Sequence, residues 1–462
     1  MKLEKLFQLK KNKTSFKTEV LAGFTTFITM AYALLVIPNV LKLSGMNAAG
    51  LQGEAANSLS VLNDPVIVSV FTATCLVSAI GTFIMAFYAN LPFALAPGIG
   101  LTAFFSYSVC LSLGYTWQQG LTAIFISGIL FILITLTSIR EKIIDALPQN
   151  IKLAITSGIG LFIALIGLKS GGIIISNPST LVAFGDFTKP NVLLTIIGIT
   201  VMGILTAKKI KGSMLIAILV TTIIGIPLGV TNIQGLKLFT LPSSIAPTFM
   251  KFDFHGLLNQ NGSGILGAIT SIVMVVLTFS LVDLFDTIGT LVGTAQKADM
   301  ILPNGKIKNM RQALFADSIS TTLSAMFGST TTSTYVESSA GIAEGGRTGL
   351  TSLVVGFLFI VSLFFGGIVG IVPAEATAPA LVIVGIMMME SIKEIDFSDF
   401  SEALPAFFTI VFMPFSYSIA NGIAAGIIFY PVMKIFTGKY KEVHPIIYIL
   451  AVLFTLRFIF LP

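Results

Sequence analysis

Charge is what this chain of 462 residues has least of: Asp, Glu, Lys and Arg make up only 10% of it, against about a quarter in soluble domains. So little charge excludes a soluble globular fold. Histidine is scarcer still, with two residues, His255 and His444. Both fall in loop or tail, which excludes a histidine proton relay inside the apolar runs. The two cysteines, Cys75 and Cys110, stand in apolar runs with no second ligand type beside them. A disulfide framework or a zinc site is thereby excluded, and they read as small packing residues. No GxxxxGK[ST] phosphate loop occurs, so ATP is not the expected energy source. The start, MKLEKLFQLKKNK, is basic but meets no apolar stretch until about Val20, and that stretch is too long for a signal peptide.

What the chain does have is hydrophobic length. Hydrophobic residues make up 55% and mean hydropathy is +0.94, so the expected class is an all-α polytopic membrane protein, whose helices satisfy their own backbone in lipid. Apolar runs near the roughly 20 residues needed to cross a bilayer occur at 18–41, 65–88, 117–138, 150–168, 190–206, 212–229, 263–294, 311–326, 349–372, 376–392, 404–418 and 421–436. Two interrupted segments, 91–113 and 328–346, bring the expected count to 14.

The basic residues test that count. If the chain starts in the cytoplasm and crosses at each segment, 21 Lys and Arg fall inside and five (Lys42, Lys169, Lys189, Lys237, Lys251) outside, with Arg457 in the tail. This is the bias of the positive-inside rule, and dropping either interrupted segment reverses every later loop. Fourteen segments make two halves of seven, and an odd number per half inverts the second, as in an inverted repeat. The interrupted segments are then the third and the tenth. Paired broken helices in corresponding places point to a transporter's binding site near the midplane.

The tenth segment reads FGSTTTSTYVESSAGIAEG from Phe327 to Gly345, with hydroxyls from Ser329 to Ser333 and an acid, Glu337. It reads as a short extended piece followed by a half-helix, tolerable in a membrane only inside protein or beside a water-filled cavity. The eighth segment reads LVDLFDTIGTLVGTAQ, with Asp283, Asp286, Thr287, Thr290 and Thr294 at offsets of 0, 3, 4, 7 and 11, on one helical face. Asp317 is a further acid inside an apolar run. A carboxyl that alternates between burial and water binds and releases a proton, which gives a coupling mechanism without metal, nucleotide or other cofactor. The same carboxylates accept N–H groups from a planar heterocycle, and half-helix amino termini supply donors for its carbonyl or ring nitrogen.

The segments LPFALAPGIGLTAFFSY, VDLFDTIGTLVGTA, GSTTTSTYVESSAGIAEGGRTGLTS, PAEATAPALVIVG and MPFSYSIANGIAAG together resemble the AzgA-like purine permeases of the nucleobase/cation symporter superfamily. The resemblance runs from Lys17 to about Phe458. It implies a core domain from segments 1–4 and 8–11 (residues 18–138 and 263–372) and a gate domain from segments 5–7 and 12–14 (residues 139–229 and 373–436). The remainder is a cytoplasmic arm at 1–17, an extracellular loop at 230–262 and a cytoplasmic or interfacial tail at 437–462. It implies Asp286 and Glu337 as the binding acids, with Asp283 and Asp317 in support or on the proton path. Gly100, Thr102 and Thr290 join the expected substrate site, with Phe93 or Phe104 as a stacking face. Where the family commonly has APGMGLNA, this chain has APGIGLTA, so Thr102 stands in the place of Asn and offers one hydroxyl where an amide has separate donor and acceptor.

The expected activity is import of a purine base, hypoxanthine or guanine, by proton symport at the cell membrane, with the amino terminus cytoplasmic. Sodium is the other coupling ion considered, adenine the alternative base, and membrane lipid and a second copy of the chain the other partners. An anion transporter of the same architecture would need a basic residue at a half-helix, and none lies at 90–100 or 328–342. An enzyme would need a nucleophile with its base or metal ligands, and a channel would not need paired broken helices. Nucleic acid is excluded as a partner because the basic excess lies in loops.

Overall fold

The computed structural model describes residues 2–59, 64–136, 147–233, 239–258, 275, 276, 278–280, 282, 283, 287, 290, 291, 300 and 308–460. Asp286 and Thr294 of the eighth segment lie outside the described residues.

Caps and breaks decide where the apolar runs become helices. After a short α1 (Lys2–Leu6), α2 (Phe16–Met30) starts at Ser15, whose hydroxyl accepts from the Thr18 N–H. A tight turn at Ala31 and Tyr32 leads into α3 (Ala33–Leu41), and the pair forms one apolar stretch, Phe16–Leu41. α4 (Pro65–Ile84) begins with the Asp64 carboxylate accepting from the Val66 and Ile67 N–H groups and Pro65 in the first turn, where a missing N–H costs nothing. Helical backbone continues to Ala89 and stops at Asn90, which takes a left-handed φ of 51°. The chain is then extended through β1 (Leu95–Pro97) before α5 (Ile99–Ala103), prolonged by wider turns to Ser112.

Next come α6 (Trp117–Leu136), α7 (Gln149–Ser170), a hairpin of β2 (Ile174–Asn177) and β3 (Leu181–Phe184), α8 (Pro190–Ala207) and α9 (Ser213–Gly225). Beyond 307, α10 (Met310–Phe327) ends at Gly328, whose φ of 91° reverses the chain. There follow β4 (Thr332–Thr334) and the six-residue α11 (Ser338–Ala343). The sequence closes with α12 (Gly349–Ser362), α13 (Ala374–Met388), α14 (Phe400–Phe415), α15 (Ile419–Phe436) and α16 (Pro445–Phe460). Among the described residues eight helices are long and apolar enough to cross a membrane.

The helices pack in two groups. In one, α2, α4, α6, α10, α11 and α12 surround the strands, with α10 lying between α6 and α4 and α12 between α4 and α2. In the other, α7 packs on α13, α14 and α15, and α8 on α9 and α13. Where α7 crosses α13 the backbones nearly touch: a Cβ on Gly160 would stand 2.6 Å from the Gly385 carbonyl oxygen, and one on Gly385 2.5 Å from that of Gly160. The groups meet through α5 on α7, α3 on α13 and α2 on α9.

β1 and β4 pair antiparallel, with Leu95 opposite Thr334, Ala96 opposite Ser333 and Pro97 opposite Thr332. All six residues are buried, which meets the condition for extended backbone at membrane depth.

The stretch expected as a plain arm is packed onto the body. Phe7 and Leu9 are 1% and 2% exposed, in a cluster with Ala86 and Leu350. The Phe7 carbonyl accepts from Asn90 Nδ2, and the Thr14 hydroxyl donates to the Gly345 carbonyl. Apolar contacts and these bonds fix residues that composition alone assigns to solvent.

Candidate functional site

The site grows from the two breaks. Gly98 N–H donates to the Thr331 carbonyl at 3.0 Å, extending the strand pairing by one residue. The Thr102 hydroxyl donates to the Gly98 carbonyl at 2.8 Å and lies 2.7 Å from the Thr330 hydroxyl. Tyr335 N–H donates to the Ala94 carbonyl at 3.0 Å, and its hydroxyl to the Pro97 carbonyl at 2.6 Å. Ser338 Oγ accepts from the Ala94 N–H at 3.1 Å. Ser329 to Thr334 are at most 2% exposed. Part of the hydroxyl-rich sequence thus forms a buried network that ties the two breaks together, while the Thr331 and Thr334 hydroxyls are buried without a hydrogen-bond partner among the described residues.

Glu337 follows this network and opens α11, half-buried. The Tyr32 hydroxyl, from the turn between α2 and α3, donates to its Oε1 at 2.7 Å. The Thr29 hydroxyl donates to the Thr25 and Thr26 carbonyls at 3.0 and 2.8 Å and reaches the Glu337 carbonyl at 3.5 Å. Glu337 borders a cavity of about 220 Å³. It is lined by Thr29, Val336, Glu337, Ser339 and Ala340 from one helix group and by Ile210, Gly212, Ser213, Met214 and Met387 from the other. A carboxylate at the edge of a small space that also presents apolar side chains is suited to hold the hydrogen-bonding edge of a flat molecule.

The other expected residues are distributed around this centre. Asp317, fully buried on α10, accepts from the Thr287 hydroxyl at 3.2 Å, so the acid of the ninth segment and the stripe of the eighth do meet. Asp283 is fully buried and Thr290 half-buried, both helical. Asp286 lies outside the described residues. Gly100 faces α7, where a Cβ would stand 3.1 Å from Ile163 Cδ1 and 3.2 Å from Ile159 Cγ2. Phe93 is buried in an apolar cluster with Leu91, Leu95 and Leu314, and its carbonyl accepts from the Ser352 hydroxyl at 2.8 Å. Phe104 packs edge-to-face on Phe279, with ring centres 4.9 Å apart. Phe93, Gly100 and Thr102 do not line the cavity beside Glu337.

Sequence reasoning passed over three residues here. Tyr32 is one of nine tyrosines in an apolar run, with no local pattern to mark it. Glu19 sits in the first turn of α2, where an acid reads as a dipole partner, yet it is fully buried. Its carboxylate accepts from the Arg347 and Thr351 N–H groups at 2.9 and 3.1 Å and from the Thr351 hydroxyl at 2.6 Å. Arg347 Nη1 in turn donates to the Ile342 and Gly346 carbonyls at 2.7 and 2.8 Å, closing the carboxyl end of α11.

Residues 17–425 match the permease family. The guanine/hypoxanthine permease PbuG of Bacillus subtilis is 42% identical over 99% of this chain and 100% of its own length. The adenine permease AdeP of Escherichia coli is 40% identical over 99% of this chain and 96% of its own. Among solved structures, the transmembrane domain of the cyanobacterial bicarbonate transporter BicA superposes with a TM-score of 0.58 at 17% identity, covering 88% of this chain and 97% of that one. At that identity the likeness is one of fold alone, that of an all-α polytopic membrane protein.

Proposed function

The chain belongs to the permease family, transporters rather than enzymes, and on that premise we propose that it is a secondary transporter bringing a purine nucleobase across the cell membrane together with a proton. The observation that carries this reading is Glu337, a carboxylate at a helix break, bordering a cavity lined also by Ile210, Met214 and Met387 of a separately packed group of helices. Such a carboxylate accepts ring N–H groups, while the apolar side chains of the lining cover the ring face. Asp286, one turn beyond Asp283 on the polar stripe, is assigned as the second binding acid, with Asp283 and Asp317 in support. Gly100 and Thr102 at the other break are assigned to the substrate path, and Thr290 continues the stripe.

Relatives named for guanine/hypoxanthine and for adenine support a purine; hypoxanthine or guanine is the base proposed here, with adenine the alternative. The two packed groups support a core of residues 18–138 and 263–372 moving against a gate of 139–229 and 373–436, within 14 segments related as inverted halves. Loop charge, 21 basic residues against five, supports a cytoplasmic amino terminus. Movement of one group past the other would carry Glu337 between the two faces, and protonation of a site carboxyl would couple that movement to the proton gradient.

Uptake of radiolabelled hypoxanthine, guanine, adenine, xanthine and uracil, in cells lacking their own permeases, tests this directly. Uptake of hypoxanthine or guanine that collapses with a protonophore is expected. No uptake of any base by well-expressed protein would sink the reading, and uptake indifferent to the protonophore would remove the proton. Glu337→Gln is expected to lower uptake at least a hundredfold, the scale of losing a charged hydrogen-bond partner, at unchanged expression.

A further inference from the structure

A helix of six residues does not hold itself in place, because its nucleation cost is not recovered within one or two turns. What fixes α11, and so the carboxylate at its start, must be its neighbours. The first span supplies them at three points. At the carboxyl end, Glu19 Oε1 accepts from the Arg347 N–H at 2.9 Å while the Arg347 guanidinium closes the last carbonyls of α11. Midway, Gly341 lies so close to α2 that a Cβ there would overlap Thr26 Oγ1 and stand 2.5 Å from the Ala22 carbonyl oxygen. At the amino end, Tyr32 Oη lies 2.7 Å from Glu337 Oε1. Of these three contacts, only the last touches the carboxylate.

Tyr32 is suited to fix an atom. It is 1% exposed and among the largest fully buried side chains, so close packing holds its ring in one position. Its backbone is fixed too: the Tyr32 carbonyl accepts from the Leu35 and Val36 N–H groups, both at 3.0 Å, and the preceding Ala31 N–H donates to the Phe27 carbonyl at 2.8 Å. A buried phenol needs a partner for its O–H, and here that partner is the acid assigned to the substrate. Two residues 305 positions apart thus define one another: the ring cannot retreat, and the carboxylate oxygen is drawn to it.

We propose that Tyr32 is a positioning residue for transport, holding the Glu337 carboxylate at the place where it meets the base. The proposal rests on the assignment of Glu337 to base binding. Tyr32 does not itself carry the proton or touch the reacting group; it acts through Glu337. Removing its hydroxyl leaves the ring, the packing and the acid in place while taking one hydrogen bond from the carboxylate.

The test compares wild-type protein, Tyr32→Phe and Glu337→Gln for uptake kinetics in cells. The same three proteins, purified in detergent, are compared for melting temperature and for binding of whichever base the wild type takes up. Tyr32→Phe is expected to raise KM and the dissociation constant roughly tenfold, the worth of one hydrogen bond to a charged group, with Vmax per molecule within about twofold and the melting temperature unchanged. A merely structural role would lower expression or melting temperature and leave KM alone. That result, or KM and binding within about twofold of wild type, overturns the proposal. Glu337→Gln without measurable binding beside normal Tyr32→Phe overturns this proposal alone. Glu337→Gln that binds as wild type does overturns the site assignment and this proposal with it. If Tyr32→Phe does not accumulate, Tyr32→Met carries the test, since it keeps a long apolar side chain in the buried position and removes the hydroxyl. A raised KM at unchanged Vmax then supports the proposal, and an unchanged KM overturns it.

Discussion

Glu19 shows how a residue can be structurally decisive and locally unremarked. It is fully buried, and its carboxylate accepts from the Arg347 and Thr351 N–H groups and the Thr351 hydroxyl at the start of α12. Asn90 Oδ1 accepts from the Gly349 N–H at 2.8 Å, and Thr348 Oγ1 from the Leu350 N–H at 3.3 Å, so residues from three segments cap one helix. Glu19→Ala removes the acceptor of the Arg347 N–H and the carboxylate partner of the Thr351 hydroxyl and is expected to cost about 2 kcal/mol, given about 1–3 kcal/mol for leaving one such group unsatisfied. Thermal unfolding in detergent checks this, and an unchanged melting temperature would refute the capping role. At this scale the sequence made Glu337 and Asp317 conspicuous, because a charge in an apolar run is costly wherever it lies. It could not mark Tyr32, whose importance comes from what stands opposite.

Among elements, the crossing of α7 on α13 depends on two glycines facing one another's carbonyls, a close approach typical of membrane helix packing. Gly385→Leu must push these helices apart, and it is expected to abolish uptake and lower the yield of monodisperse protein. Normal uptake would show that the contact is dispensable. α14 offers a pH test. Its cap, Asp399, is held well below the usual carboxylate range by the Lys439 ammonium and by the Ser401 hydroxyl and N–H. A carboxyl depressed in the folded state contributes stability above its unfolded pKa, about 3.9, and loses it as pH falls toward the folded value. The melting-temperature difference between wild type and Asp399→Asn is therefore expected to be constant from pH 8 to about 5 and to shrink only below about 4. A difference that already disappears between pH 7 and 5 would contradict it.

Hydropathy marked the runs in which the eight long apolar helices stand, because a bilayer's thickness is a length readable in one dimension. Helix quality within the runs was less legible. The turn at Ala31 and Tyr32 and the wide turns from Phe104 to Ser112 lie in sequence as apolar as any ordinary helix. What shapes them is contact with other segments.

For the molecule as a whole, the boundary between the two helix groups is where movement would be felt. Lys211, on the turn between α8 and α9, pairs with Glu344 just beyond α11, and their side chains are 58% and 26% exposed. A pair so wet contributes less than about 1 kcal/mol to stability, so Lys211→Ala should leave the melting temperature nearly unchanged. Because it joins the two groups, Lys211→Glu is expected to lower uptake several-fold, and Lys211→Glu with Glu344→Lys to restore most of it. Equal uptake by wild type and Lys211→Glu would show that the pair is incidental. Lys434 presents the opposite case within one group. It is 2% exposed, with Glu402 at 2.7 Å and Glu442 at 2.6 Å, and replacing both acids would strand a buried charge.

By itself the sequence determined that this is a membrane protein, where its apolar lengths lie, where they are interrupted and which acids are out of place. Those are properties of composition and order, fixed by the cost of charge and unpaired backbone in lipid. Only the tertiary structure decided that the breaks at 95–97 and 332–334 lie antiparallel, that the hydroxyls between them bond to backbone, and that Glu337 is held by a tyrosine from the first span. The physical reason is distance along the chain. Hydropathy acts within some 20 neighbouring residues, whereas the contacts that place Glu337 join positions 238 and 305 apart.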